Sequence, residues 1–334
     1  MFIVAGRFHQ MRNKFGIILL CFFTLSGCGT FRRVALKTAS PLLMDAMSGI
    51  EGEGNWEAFR AGTPANLTLI DGLLAAAPDD ESLLVAAVKG NAGYAFGVLE
   101  TLYLDDKLQD IENSEYKEQA IFHYTKAFDY GLKYLQENDL SLEDLKMALK
   151  EKKGLPGLLE NQLPGDELSL NAVVYTAQAL GSMINLQREN IQLVSFLPLV
   201  KGMFDWACEA DPNIGFGVCQ IFYGSYEAGR PAMLGGNPQK GKKIFEDFIK
   251  NHPHNWLGRV AFIEYFAIPQ YDEDVYRSQK KELQKFSYWM KENLKWSPAP
   301  HQHEEVFSNP RLRLYQAIAI KRFKIIKKYE KDLF

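Results

Sequence analysis

Between residues 55 and 329 the apolar side chains recur at three- and four-residue spacing, and almost no segment alternates apolar with polar at period two. A half-buried strand requires that alternation, so the pattern removes sheets from consideration and leaves an all-α chain. The spacing predicts helices over residues 55–61, 64–77, 82–104, 114–136, 141–150, 168–189, 191–210, 215–228, 239–250, 255–267, 273–295 and 311–329. Short breaks rich in Gly, Pro, Asn and Asp separate them, as expected where helices fold back on their neighbours.

The stretch from Trp206 to Pro253 suggests how the helices are arranged. A tetratricopeptide unit is two antiparallel helices in about 34 residues, with a small residue near position 20, a bulky one near 24, a small one near 27 and Pro near 32. With Pro212 at the proline position, Phe204 takes the bulky site and Ala207 the small one. With Pro253 there, Gly241 and Phe245 fit, but Phe248 stands where a small residue belongs. The two prolines are 41 residues apart. The surplus fits the inter-helix turn Gly229-Arg-Pro-Ala-Met-Leu-Gly-Gly-Asn-Pro238. Ala120, Tyr124 and Ala127 repeat the small, bulky, small pattern, and residues 77–82 form a turn of the inter-repeat kind. The expected architecture is therefore an antiparallel helix-pair array with degenerate tetratricopeptide-like repeats. Periodic Ala and Phe also occur in an ordinary helical bundle.

Ahead of the helices, residues 1–27 read as a targeting segment. Met11-Arg-Asn-Lys14 is a positive n-region and residues 15–24 are apolar. Leu25-Ser-Gly-Cys28 has the form of a lipobox, cut before a cysteine that is then acylated. The apolar run is about half of the ~20 residues needed to cross a bilayer. A mature chain starting at Cys28 is expected to be lipid-anchored outside the cytoplasm, and Gly29 after the cysteine agrees with outer-membrane sorting. Residues 28–54, punctuated by Gly49, Gly52 and Gly54, read as a tether, and 55–334 as the helical domain. The whole chain has 38 Lys+Arg and 41 Asp+Glu; losing Arg7, Arg12 and Lys14 brings the net charge from −3 to about −6. That balance argues against a nucleic-acid partner.

The sequence carries little catalytic chemistry. It holds no GxSxG, Walker loop, HExxH or dinucleotide fingerprint, so no enzyme and no cofactor are expected. Cys208 and Cys219 flank the turn at Asp211-Pro-Asn213, which leaves both a disulfide and two buried thiols open. His301-Gln-His303-Glu-Glu305 brings two imidazoles and two carboxylates into one loop, read as a solvated patch rather than a metal site. The tail Lys321-Arg-Phe-Lys-Ile-Ile-Lys-Lys328 is amphipathic and reads as a solvated helix face before it reads as a membrane contact. Aromatic residues are the more suggestive feature. Tyr94, Phe96, Phe204, Trp206, Phe216, Phe222, Tyr223 and Tyr226 lie on helices that would line the concave side of an array. Core packing accounts for each one singly, and several facing one cavity would favour binding.

Three stretches carry a family resemblance. They are Thr63-Pro-Ala-Asn-Leu67, residues 83–100 with Gly93-Tyr-Ala-Phe96, and the loop 229–238 leading into residues 239–248. There the chain resembles the T component of tripartite ATP-independent periplasmic (TRAP) transporters, the TatT family of bacterial lipoproteins. The likeness runs from the lipobox to about Phe266, and nothing specific is recognised beyond about Asp272. It implies cryptic tetratricopeptide-like repeats, a homotrimer, a periplasmic substrate-binding P component as partner, and a small apolar or organic-acid ligand. Tyr94, Phe96, Arg230, Met233 and Leu234 are the candidate ligand or partner residues, with Arg230 either meeting a carboxylate or capping a helix end. The residues themselves leave a second reading open, a scaffold lipoprotein for envelope assembly with no small-molecule ligand.

Overall fold

The computed structural model describes residues 49–301 and 303–334, among which every regular element is a helix. The expected signal segment, Cys28 and most of the expected tether lie outside the described residues. The main elements are α1 (Trp56–Ala76), α2 (Glu81–Lys107), α3 (Glu115–Glu137), α4 (Leu142–Ala148), α5 (Gly154–Gln162) and α6 (Glu167–Leu186). They continue with α7 (Leu197–Ala210), α8 (Val218–Gly229), α9 (Pro238–Asn251), α10 (residues 257–270), α11 (Glu273–Asn293) and α12 (Arg313–Lys328).

Helix starts are written locally. Asn55, Asp80, Ser114, Ser141, Asp166, Asn237 and Asp272 each accept a backbone N–H at the first turn of the helix that follows. Such a cap contributes about 1 kcal/mol. Three boundaries differ from the sequence reading. The predicted break at Pro64 is absent, and α1 runs through it. Pro64 and Arg60 are both exposed, so the carbonyl that loses its partner faces water. Residues 191–210 form two helices, because Pro198 sits in the first turn of α7 and starts a new helix there. Helix α5, opened by Gly154 at φ +63°, was not anticipated; its short apolar stripe, Leu155 and Leu159, carries little periodic signal.

The helices bury two apolar clusters. One, formed by α2 to α7 with the C-terminal half of α1, is mainly aliphatic and centres on residues such as Leu83, Leu84, Val173, Leu199 and Val200. The other, from α9 to α12, is richer in aromatic rings, with Phe245, Trp256, Phe262, Phe266, Phe286 and Phe323. Helices α1 and α2 belong to both: Trp56, Phe59, Val98 and Leu104 pack into the aromatic cluster, Ile70, Leu74 and Leu99 into the aliphatic one. Helix α2 is long and apolar enough to span a bilayer, but 67% of that apolar window is buried inside the fold, which makes it a core helix.

Phe248, which stands where the expected repeat pattern calls for a small residue, is buried against the facing helix. A Cβ on Gly258 would stand 2.0 Å from the Phe248 ring, so the missing side chain on α10 makes room for the ring on α9. Cys208 and Cys219 form a disulfide with a Cα–Cα distance of 5.9 Å, joining the end of α7 to the start of α8. The packed body also begins before Trp56, since the buried Glu51 carboxylate pairs with Lys89 at 2.6 Å and Arg311 at 2.7 Å. Glu51, inside the stretch expected to be tether, is thereby fixed to α2 and to the approach to α12. The apolar side of the amphipathic tail packs into the core through Phe323, Ile325 and Ile326, while Lys324, Lys327 and Lys328 form the expected solvated face.

Candidate functional site

Between the two clusters lies a cavity of about 530 Å³, walled by α1, α2, α6, α7, α8, α10 and α12. Its size falls within the range of small-molecule sites, and its surface is mostly apolar. Small residues keep it open. Gly93, Ala177, Gly181 and Ala261 occupy helix positions on its wall, and a Cβ built on Gly93 meets nothing within 4 Å. A glycine inside a helix costs about 1 kcal/mol relative to alanine. Phe59, Phe204, Phe222 and Tyr226 supply aromatic surface, with Phe204 and Phe222 stacked at 3.8 Å between centroids.

Besides Lys89–Glu51, a second charged pair sits in this apolar wall. Arg322 on α12 donates from Nε to Glu264 Oε1 at 2.8 Å and from Nη2 to Glu264 Oε2 at 2.6 Å. Both side chains are nearly buried, and the bidentate geometry satisfies both charges. Burial works against the Arg322 charge, but the Glu264 carboxylate outweighs it and the pKa is raised. Glu100 lies behind the pair and accepts a short hydrogen bond from the Tyr124 hydroxyl. Burial raises the Glu100 pKa, opposed by the nearby Arg322 charge.

The pair also bridges two π-helical segments, Ala95–Leu99 in α2 and Ile263–Ala267 in α10. Wide turns of this kind free backbone carbonyls and re-aim side chains. Arg322 Nη1 lies 3.5 Å from the Phe96 carbonyl, and its guanidinium stands 5.0 Å from the Phe96 ring centroid. Ile318, one turn earlier on α12, rests against Gly97, where a Cβ would come within 2.8 Å of it. At another end of the cavity the Tyr175 and Tyr315 hydroxyls approach to 3.5 Å.

Of the five residues singled out in the sequence, Phe96, Arg230 and Leu234 line the cavity. Tyr94 points elsewhere and packs edge-on against His123, with centroids 4.9 Å apart. Met233 is 90% exposed at the surface of the loop. Arg230 is spent on its own loop: Nε donates to the Tyr226 carbonyl at 2.9 Å, Nη1 to that of Leu234 at 2.9 Å and Nη2 to that of Gly235 at 3.1 Å. Its guanidinium also stacks on Tyr226 at 3.6 Å, the geometry of a helix-end staple. Among the other aromatics, Phe204, Phe222 and Tyr226 face the cavity. Trp206 is buried in the core with its indole N–H donated to Glu160 at 3.1 Å, and the Tyr223 hydroxyl donates to Asp205 at 2.8 Å.

Glu264, Tyr265, Tyr315 and Arg322 were missed. A legible signal existed for Arg322, which stands four residues after Ile318 and four before Ile326, so a charge interrupts the apolar face. In the histidine loop, His303 stacks on Trp289 at 3.8 Å, and among the described residues no group of three or more His, Cys, Asp or Glu could hold a metal ion.

With this geometry in view, residues 53–293 match the family model of the TRAP transporter T-component. The chain belongs to that family. Membership implies association with a TRAP transporter, and the T-component is a transporter accessory component, not a known enzyme family. No curated protein matches the sequence. The T-component match contains most of the cavity wall but ends before α12, which supplies Leu314, Tyr315, Ile318 and Arg322.

Proposed function

We propose that this T-component works as a periplasm-facing lipoprotein that holds a small, predominantly apolar or organic-acid ligand for a TRAP transporter. In this reading residues 1–27 are removed, Cys28 carries lipid in the outer membrane, and the residues after it tether the helical body, which takes in Ile50 and Glu51 and runs to 334. The helix pairs descend from tetratricopeptide-like repeats, the protein assembles as a homotrimer, and its partner is the periplasmic substrate-binding P component. The observation that carries the ligand part is the cavity of about 530 Å³ between the two cores, lined by aliphatic and aromatic side chains. A scaffold needs no such void, since unfilled interior space forfeits packing.

Gly93 gives a direct test, because a large side chain there projects into open space. The full chain purified from its native envelope should yield a co-purifying small molecule on denaturing extraction and mass spectrometry. Gly93→Trp should fold normally and release none. A cavity empty in both proteins, with only envelope-assembly proteins captured alongside, would turn the assignment to the scaffold reading.

A further inference from the structure

Six charged side chains line the cavity: Glu51, Lys89, Arg188, Arg230, Glu264 and Arg322. Five of them are already engaged. Lys89 pairs with Glu51 at 2.6 Å, Arg322 with Glu264 at 2.6 Å, and Arg230 with three backbone carbonyls and, at 3.7 Å, with Glu227. Arg188 is the exception. It follows the C-terminal end of α6, is exposed, and bonds through Nε at 3.1 Å and through Nη2 to the neutral Asn185 Oδ1. Three of its five N–H donors have no partner among the described residues, and no carboxylate pairs with it there. The end of a helix attracts a cation, but it does not use those donors.

The surroundings give that free guanidinium a direction. Asn185, Val194 and Leu197 line the cavity beside it, so apolar surface leads inward from the charge. The other cations on the wall already have a carboxylate partner: Lys89 has Glu51, Arg230 has Glu227 and Arg322 has Glu264.

Taking the small-molecule reading of the cavity as given, we infer that its ligand is an acidic amphiphile, with an apolar body between the two cores and its anionic group at the rim on Arg188. The inner part of the site selects by apolar contact, and the charge is read at the mouth, where it keeps part of its hydration.

Decanoate and 1-decanol test this as a pair matched in chain and different in head group, titrated calorimetrically into the full chain at low salt. Decanoate is expected to bind about tenfold more tightly, the usual order for a charge-assisted hydrogen bond at a partly hydrated site. Arg188→Gln should abolish that advantage while leaving 1-decanol within about twofold, and Arg188→Lys should keep part of it. Raising the salt should shrink the decanoate advantage only. Equal affinities in the wild type, or an advantage that survives Arg188→Gln, would overturn the assignment while the cavity reading stands. If neither compound binds the wild type, the cavity reading falls and this inference with it.

Discussion

The loop at 229–238 and helix α12 each bring an arginine to the same cavity, and they secure it by opposite means. Arg230 bonds to carbonyls no more than five residues away, stacks on the ring of Tyr226, and remains within reach of water. Arg322 is buried, and its partners are 58 and 226 residues away in sequence. The loop arginine therefore orders its own segment. The helix arginine joins three helices, and its loss would leave carboxylates without a counter-charge where water cannot replace it. Chemically similar side chains on one wall thus have unequal weight, set by burial and by the span of their contacts.

The sharpest way to break this contrast is Arg322→Leu. Removing one partner of a buried ion pair typically costs about 3–5 kcal/mol, and here both Glu264 and Glu100 lose their nearest cation. Chemical denaturation should show that loss. Adding Glu264→Leu should recover most of it, because an apolar replacement of both partners removes the stranded charge. If the double variant is no more stable than the single one, the guanidinium acts by packing on Phe96 rather than by charge.

A smaller effect is expected on the loop side, where the fold has a covalent tie instead. Cys208–Cys219 anchors α8, the helix that leads into the loop, to α7 across 11 residues of sequence. A crosslink closing a loop of that length contributes about 3 kcal/mol by restricting the unfolded chain. Denaturation of the oxidised and reduced protein should differ by an amount of that order. Equal curves would mean that the reduced unfolded chain keeps this turn closed by itself.

The same division explains what could be read from the sequence. Helix positions were largely legible, because the apolar period depends on residues within a turn or two; the caps Asn55, Ser114, Asn237 and Asp272, equally local, were not read. The loop was legible as a turn, with Arg230 as a possible helix cap. The cavity was not, because it exists only where seven helices from distant parts of the chain meet around residues with little or no side chain, such as Gly93 and Ala261. Aromatic content pointed toward it but could not separate Phe222, on the wall, from Trp206, in the core. Arg322 was masked by its neighbours, since Lys321, Lys324, Lys327 and Lys328 make the segment look like one basic surface. Only the buried faces of α12 show that one of these cations points inward.

The mildest test is Arg230→Ala. Two of its three carbonyl hydrogen bonds are exposed, and Glu227, 3.7 Å away, keeps Lys240 as a closer partner at 2.7 Å, so the net loss should be about 1 kcal/mol, well below that of Arg322→Leu. The effect should also stay local. Gly236 approaches the Arg230 carbonyl so closely that a Cβ there would lie 2.0 Å from it, and Asn237 N–H donates to the Glu227 carbonyl at 2.8 Å. These backbone contacts hold the turn after the side chain is gone. Amide exchange should therefore quicken at residues 232–236 and remain unchanged in α2 and α10. Exchange that spreads to the π-helical segments would show that the loop arginine, like Arg322, is coupled to the cavity wall, and the contrast between the two would fail.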